Sequence, residues 1–209
     1  MINPEVGLNP APGSFKFFDN WGKYCINHPK RHDRWKSAAR EFMKVGVSVE
    51  RVFCTRHKSP HLSFNLTQKM MMERMVKEER PAIIFEDDVE FHGTDISGVL
   101  DLPEDWDILY LGCNIKKAER YTGRLWRVHH AWTTHAIGYS VKAQKFINER
   151  FVADNGQMYD DFLSTWILPE VKAYVINPMI AWQRPEFSDI WQQPVDYTWC
   201  FEEGNKMMQ

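Results

Sequence analysis

The stretch "RPAIIFEDDVEF", residues 80–91, runs through proline, small and apolar residues into three consecutive carboxylates, Glu86, Asp87 and Asp88. A continuous apolar run bounded by Pro81 and acids predicts a central strand of a parallel sheet, buried on both faces. The carboxyl end of such a strand is where an open α/β sheet binds ligands. A polar strand end reaching solvent is the plainer reading, but three adjacent carboxylates repel one another and invite a cation. Glu86 and Asp88 share a face if the strand continues through them. A turn immediately after the strand would instead let two carboxylates converge on one ion.

Outward from this stretch, the periodicity alternates between strands and helices. "GKYCIN" (22–27) reads as a short buried strand, and the helix after it has Asp33 as expected N-cap, Trp35, Ala38, Ala39, Phe42 and Met43 at helical spacing, and Gly46 at its end. "ERVFCT" (50–55) is the next strand, and Ser63 is expected to cap a helix running to position 79, its methionines 70–72 serving as core filler. After the acids, "DWDILYLG" (105–112) is a strand, and "RLWRVHH" (124–130) and "THAIGYS" (134–140) are two more, expected antiparallel to the first set. "VKAQKFINERF" (141–151) is an amphipathic helix, "YDDFLSTWI" (159–167) opens another, and "VKAYVIN" (171–177) is a last strand. Residues 181–200, rich in Trp, Gln and Pro, read as irregular structure closing over a site.

The 209 residues suit one α/β core rather than two domains with a linker. No apolar run approaches the roughly 20 residues of a membrane span. The N-terminal residues, with Pro4, Pro10 and Pro12, do not read as a secretory signal, and Cys25, Cys54, Cys113 and Cys200 stand singly. Reduced thiols in a cytoplasmic protein are therefore expected, not a disulfide framework or a zinc site. Net charge is −2, but positions 23–58 hold ten Lys and Arg against three acids, a segment of +7 that leaves −9 elsewhere. A basic half facing an acidic strand end suits an anionic ligand bridged by a metal, such as a nucleotide diphosphate. Taken singly, most of these side chains are equally well explained as solvated helix faces.

"IFEDDVEF" resembles the acidic motif of nucleotide-sugar glycosyltransferases with the GT-A fold, in particular glycosyltransferase family 25, which includes lipooligosaccharide and collagen galactosyltransferases. "YCINHPKRHDRW", "WDILYLG", "WTTHAIGYSVKAQKFI" and "YDDFLSTWI" followed by "INPMIAWQRPEFSDI" are similar to that family in the same order, covering most of positions 24–190. The resemblance implies a single Rossmann-like GT-A domain at 21–190, with a mixed, mainly parallel sheet flanked by helices. A Pro-rich arm (1–20) would precede it and a tail (191–209) would follow. It implies that Ile26, Asn27, Arg31 and Arg34 line a nucleotide pocket. Glu86, Asp87 and Asp88 would form the metal and ribose-diphosphate site, with Asp88, then Glu86, binding Mn²⁺ or Mg²⁺. Asp160 or Asp161 would be the general base of an inverting transfer, kept ionised by a helix start. Either aspartate could instead be an N-cap. His135 is a candidate for sugar or phosphate contact, and Trp132 and Trp182 for stacking on a sugar face.

The expected activity is hexosyl transfer from a UDP-sugar, UDP-galactose or UDP-glucose, to a hydroxyl of a glycan, a lipopolysaccharide or lipid-linked sugar, a protein or a modified nucleic acid. A non-catalytic binding protein on the same scaffold and a metal-dependent phosphoester hydrolase or nucleotidyltransferase are the alternatives. The chain departs from the family where Ser63 is followed by Phe64 rather than His, and in having no His after His135.

Overall fold

The computed structural model describes residues 16–93 and 101–209; most of the expected Pro-rich arm lies outside them. After a 3-10 turn at Lys16–Phe18, the chain alternates β1 (Gly22–Asn27), α1 (His32–Val45), β2 (Glu50–Phe53), α2 (Pro60–Glu78) and β3 (Ala82–Glu86). It continues through β4 (Val89–Phe91), β5 (Ile108–Tyr110), β6 (Asn114–Thr122), β7 (Leu125–Trp132), β8 (Ala136–Tyr139) and α3 (Val141–Arg150). A short helix α4 (Tyr159–Phe162) runs into a π-helical turn, followed by β9 (Ala173–Ile176), β10 (Ala181–Gln183), β11 (Glu186–Ser188), β12 (Gln193–Val195) and α5 (Thr198–Met207).

The main sheet has eight strands in the order β2-β1-β3-β8-β5-β9-β7-β6. Parallel pairing of β1 with β2 and β3, and of β5 with β9, combined with antiparallel pairing at β7 and β8, makes the sheet mixed. Only β7 and β8 run against the rest, and these are the two strands expected to do so. β3 is central and buried on both faces. Ala82 and Ile84 point into one core with Met71, Met72 and Met75 of α2 and Ala143 and Ile147 of α3. Ile83 and Phe85 point into the other, with Ala38, Phe42 and Val45 of α1. Alternate side chains of one strand thus anchor a layer on each side, and each fully buried aliphatic or aromatic side chain contributes about 1.5–3 kcal/mol.

Element ends differ from the sequence reading for local reasons. α2 begins at Pro60, one turn earlier than Ser63, because Ser59 caps it by accepting from the Leu62 N–H, and proline is well suited to a first helical position. α1 starts at His32 behind Arg31, and Asp33 lies within its first turn instead of capping it. Gly46, at φ 69°, ends α1 as expected.

β6 was not legible in the sequence. Its nine residues, "NIKKAERYT", are mostly exposed at the sheet edge, so they carry neither an apolar run nor clean alternation. The segment expected as a tail is folded: Cys200, Phe201 and Gly204 of α5 are buried, and α5 lies against β6 and β10. All four cysteines are free. No described helix is long and apolar enough to cross a membrane.

Candidate active site

β3 ends at Glu86, and Asp87 and Asp88 form a turn into β4. The turn does make two carboxylates converge on one cation, and that cation is Arg34 of α1. Arg34 Nη2 lies 2.9 Å from Asp88 Oδ2 and Nε 2.9 Å from Asp87 Oδ1. The second contact is ionic rather than a hydrogen bond, because the N–H of Nε points off the oxygen. Asp87 also accepts a hydrogen bond from Asn27 Nδ2 at the end of β1, while Asn27 Oδ1 accepts from Arg51 of β2. Three neighbouring parallel strands therefore contribute to one polar network, β1 and β3 from their carboxyl ends and β2 by the long side chain of Arg51.

A second layer of this network arrives from β10, which pairs antiparallel with β4. Gly112, just after β5, allows the approach: a Cβ there would lie 1.7 Å from the Ala181 carbonyl oxygen, and the Leu111 carbonyl accepts from the N–H groups of Ile180 and Ala181. Beyond β10, the Arg184 N–H donates to the Asp88 carbonyl at 2.8 Å, and Arg184 Nη2 donates to the Asp87 carbonyl and to Glu186. Gln183 donates to Asp88 Oδ2 at 3.3 Å.

Burial, reinforced by the Asp88 charge, raises Glu86 above the ordinary carboxylate range, against the hydrogen bond it accepts from Thr134 Oγ1 at 2.7 Å. Burial also raises Asp87, to about 6, although Arg34 opposes it. For Arg34 burial favours the neutral form, but Asp88, Asp87, Glu186 and Asp189 prevail and hold it firmly cationic.

These residues line a cavity of about 800 Å³, within the range of small-molecule sites. The start of α4 also lines it. Asp160 lines it partly buried, and burial together with Asp161 raises its pKa, against hydrogen bonds from backbone N–H groups including that of Thr133. The helix that Asp160 opens, α4, is a single turn. Asp161 lines the cavity too and is exposed. Asn65 of α2 sets the loop before α4: its Nδ2 donates to the carbonyls of Ala153 and Gln157, and its Oδ1 accepts the Tyr159 N–H. Thr133, between β7 and β8, adopts φ 70°, a strained conformation for a β-branched residue. Its Oγ1 accepts the Asn114 N–H.

Ile26, Asn27, Arg31, Arg34, Glu86, Asp87, Asp88, Asp160, Asp161 and Trp132 all line this one cavity. His135 and Trp182 do not. His135 is fully buried, with Nε2 2.9 Å from the Ala181 carbonyl and its ring edge-on to Phe201. Trp182 is stacked between His92 and Phe201. Both rings are packed against other side chains of the fold and stand outside the lining of the cavity. Asn65, Thr133, Arg184, Glu186 and Asp189 escaped the sequence reading. The three closely spaced charged residues of "RPEFSD" (184–189) were the one available signal for the last three.

Among the described residues no group of three or more His, Cys, Asp and Glu side chains is placed to hold a metal ion. Asp88 Oδ1, however, is buried without a hydrogen-bond partner. A hard carboxylate oxygen left open fits a divalent cation whose remaining ligands are waters and phosphates.

No family model matches the chain, and no curated protein matches it. Among solved structures, it is similar to A197 from STIV, with 12% identity, 82% of this chain and 91% of that chain covered, and a TM-score of 0.49. It is also similar to a glycosyltransferase involved in the glycosylation of the major capsid of PBCV-1 (9% identity, 74% and 80% covered, TM-score 0.47). A third is a putative glucose-1-phosphate thymidylyltransferase from Bacillus anthracis (11% identity, 88% and 75% covered, TM-score 0.44). Likenesses at this level carry no functional argument, which rests on the cavity itself.

Proposed function

We propose that the protein is an inverting hexosyltransferase that uses a UDP-sugar, with Mn²⁺ or Mg²⁺, to glycosylate a hydroxyl acceptor. One observation carries this reading: a single cavity gathers an acidic and arginine-rich cluster at the strand ends and, from the start of α4, a separate, partly buried carboxylate, Asp160. Asn27, Arg31 and Arg34 bind the nucleotide and its phosphates, the guanidinium groups matching phosphate oxygens in pairs. Asp88, with Glu86 as second carboxylate, would hold a divalent cation, which would supply neutralisation of the charge developing on the leaving diphosphate. Asp160 accepts the proton of the acceptor hydroxyl as that oxygen attacks from the face opposite the leaving group. Its raised pKa makes it a stronger base than an ordinary aspartate. Trp132 lines the cavity and offers an indole to a sugar ring.

Thermal unfolding with UDP, UDP-galactose and UDP-glucose, each with Mn²⁺, Mg²⁺ or chelator, tests the site, since a ligand bound only by the folded state raises its stability. The expected result is a metal-dependent shift with a uridine diphosphate that Asp88→Asn abolishes. No shift with any nucleotide overturns the reading. With UDP-sugar as substrate the product is UDP, and Asp160→Asn is expected to lower its release by at least about 100-fold while leaving the metal-dependent thermal shift in place. Release of phosphate or pyrophosphate instead would assign a hydrolase or nucleotidyltransferase.

A further inference from the structure

Glu186, at the start of β11, is gripped by three guanidinium groups. Its carboxylate lies 3.0 Å from Arg184 Nη2, 3.2 Å from Arg34 Nε and 3.6 Å from Arg31 Nη2. Asp189, three residues on, pairs with Arg31 at 2.7 Å and reaches Arg34 at 3.6 Å. The arginines belong to the body of the fold: Arg31 and Arg34 open α1, and Arg184 is bonded to the acidic turn by its own N–H. The two acids belong to a separate hairpin. β11 and β12 form a two-stranded sheet of their own, apart from the main sheet. Phe187 and Trp191, around the same turn, are about half exposed, at 45% and 53%. The hairpin is tied to the body by these ion pairs and by Trp191, edge-on to His61.

The three guanidiniums also serve other carboxylates, Arg31 forking Asp33 with Nε and Nη2 and Arg34 reaching Asp87 and Asp88, but Glu186 is the one acid that touches all three. A phosphoryl group offers three oxygens and more charge, and fits planar forks in pairs. We propose that Arg31, Arg34 and Arg184 form a phosphate site, and that Glu186 is its resident stand-in, occupying the site until a diphosphate displaces it and releases the β11–β12 hairpin. This rests on the donor reading above and adds to it Arg184 as a phosphate ligand and an internal competitor for the donor. Asp189 supports the closed arrangement from the half-exposed side. Displacement exchanges one set of anionic contacts for another and breaks no strand pairing with the main sheet.

The test is a titration of the full chain with inorganic pyrophosphate and with UDP in chelator, so that the arginines alone are read. A competitor that fills the site most of the time lowers apparent affinity by the fraction left open. Glu186→Gln is therefore expected to tighten pyrophosphate binding by roughly 3- to 10-fold, and Arg184→Ala to weaken it in both backgrounds. Amides 186–195 should exchange hydrogen faster when pyrophosphate is bound. Asp189→Asn, at a half-exposed position, should tighten binding in the same direction by less, and serves if Glu186→Gln does not fold. Equal or weaker pyrophosphate binding by both variants, or slower exchange of the hairpin on binding, overturns the proposal. If UDP binds the wild type and Glu186→Gln alike, the donor reading stands and the role of Glu186 falls. If neither anion binds any form in chelator, the phosphate site is overturned, and the metal-dependent thermal shift decides the donor reading separately.

Discussion

Single side chains in this protein are set by their neighbours more than by their own chemistry. Glu78, at the end of α2, accepts hydrogen bonds from Tyr24, Arg74 and Arg80. Partial burial would raise its pKa, but these donors outweigh it and hold the carboxyl down to about 2. Because the folded value is depressed, the contribution of Glu78 to stability is complete above its ordinary value near 4.5 and is lost as pH falls through about 2. Glu78→Gln should therefore lower Tm at pH 7, and the gap from wild type should close between pH 4.5 and 2. A gap of the same size at both ends would remove the charge from the explanation. Thr133 is the opposite case, a residue in a conformation it does not favour. Glycine adopts positive φ freely, a gain that offsets the entropy it adds to the unfolded chain and the loss of the Oγ1 acceptor of the Asn114 N–H, so Thr133→Gly should unfold close to the wild-type temperature. By freeing the N–H that faces Asp160, it should also slow UDP release. A variant equally active, or clearly less stable, would show that the strain serves no purpose at the site.

Among the elements, the junction of α2 with the start of α4 governs the position of the candidate base. Asn65 satisfies two carbonyls and one N–H of the intervening loop and is only 4% exposed. Asn65→Ala leaves buried backbone groups unpaired, at a cost of about 1–3 kcal/mol each. Urea unfolding should show a loss of at least about 2 kcal/mol, together with a weakened turnover and an unaltered metal-dependent UDP shift. A loss of UDP binding as well would mean that the two parts of the cavity lining are not independent. The strands illustrate why some elements are legible and others not. β3, β8 and β9 are buried on both faces and read as apolar runs. β6 lies at the sheet edge with its charges in solvent, and β4, β10, β11 and β12 have three residues each, too few to show a period and, unlike the equally short β5, not wholly buried.

For the whole molecule, the last nineteen residues belong to the fold. Phe201 is completely buried and packs against Trp182 and His135. Phe201→Ala should cost about 3–5 kcal/mol, measured as a shift of a single cooperative urea transition. A loss below about 1 kcal/mol would make α5 peripheral.

The sequence by itself determined the class of fold, the central place of β3 and the acids at its carboxyl end, because burial on two faces demands an apolar run and the chain direction then places whatever follows it. It also determined the separate "YDD" helix start. Tertiary structure alone decided what those acids face. Arg34 is 53 positions before Asp87, and Glu186 is 99 after it; no local pattern records that a glycine at 112 lets β10 approach, or that Arg184 and Glu186 then meet α1. His135 and Trp182 show the same limit in reverse. Each has a side chain suited to a ligand, and each is instead packed into the core by an aromatic ring from α5, an element with no signal in the chain strong enough to anticipate it. Hydrophobic period is a local property, whereas a polar site is an agreement among distant segments, which only the folded chain expresses.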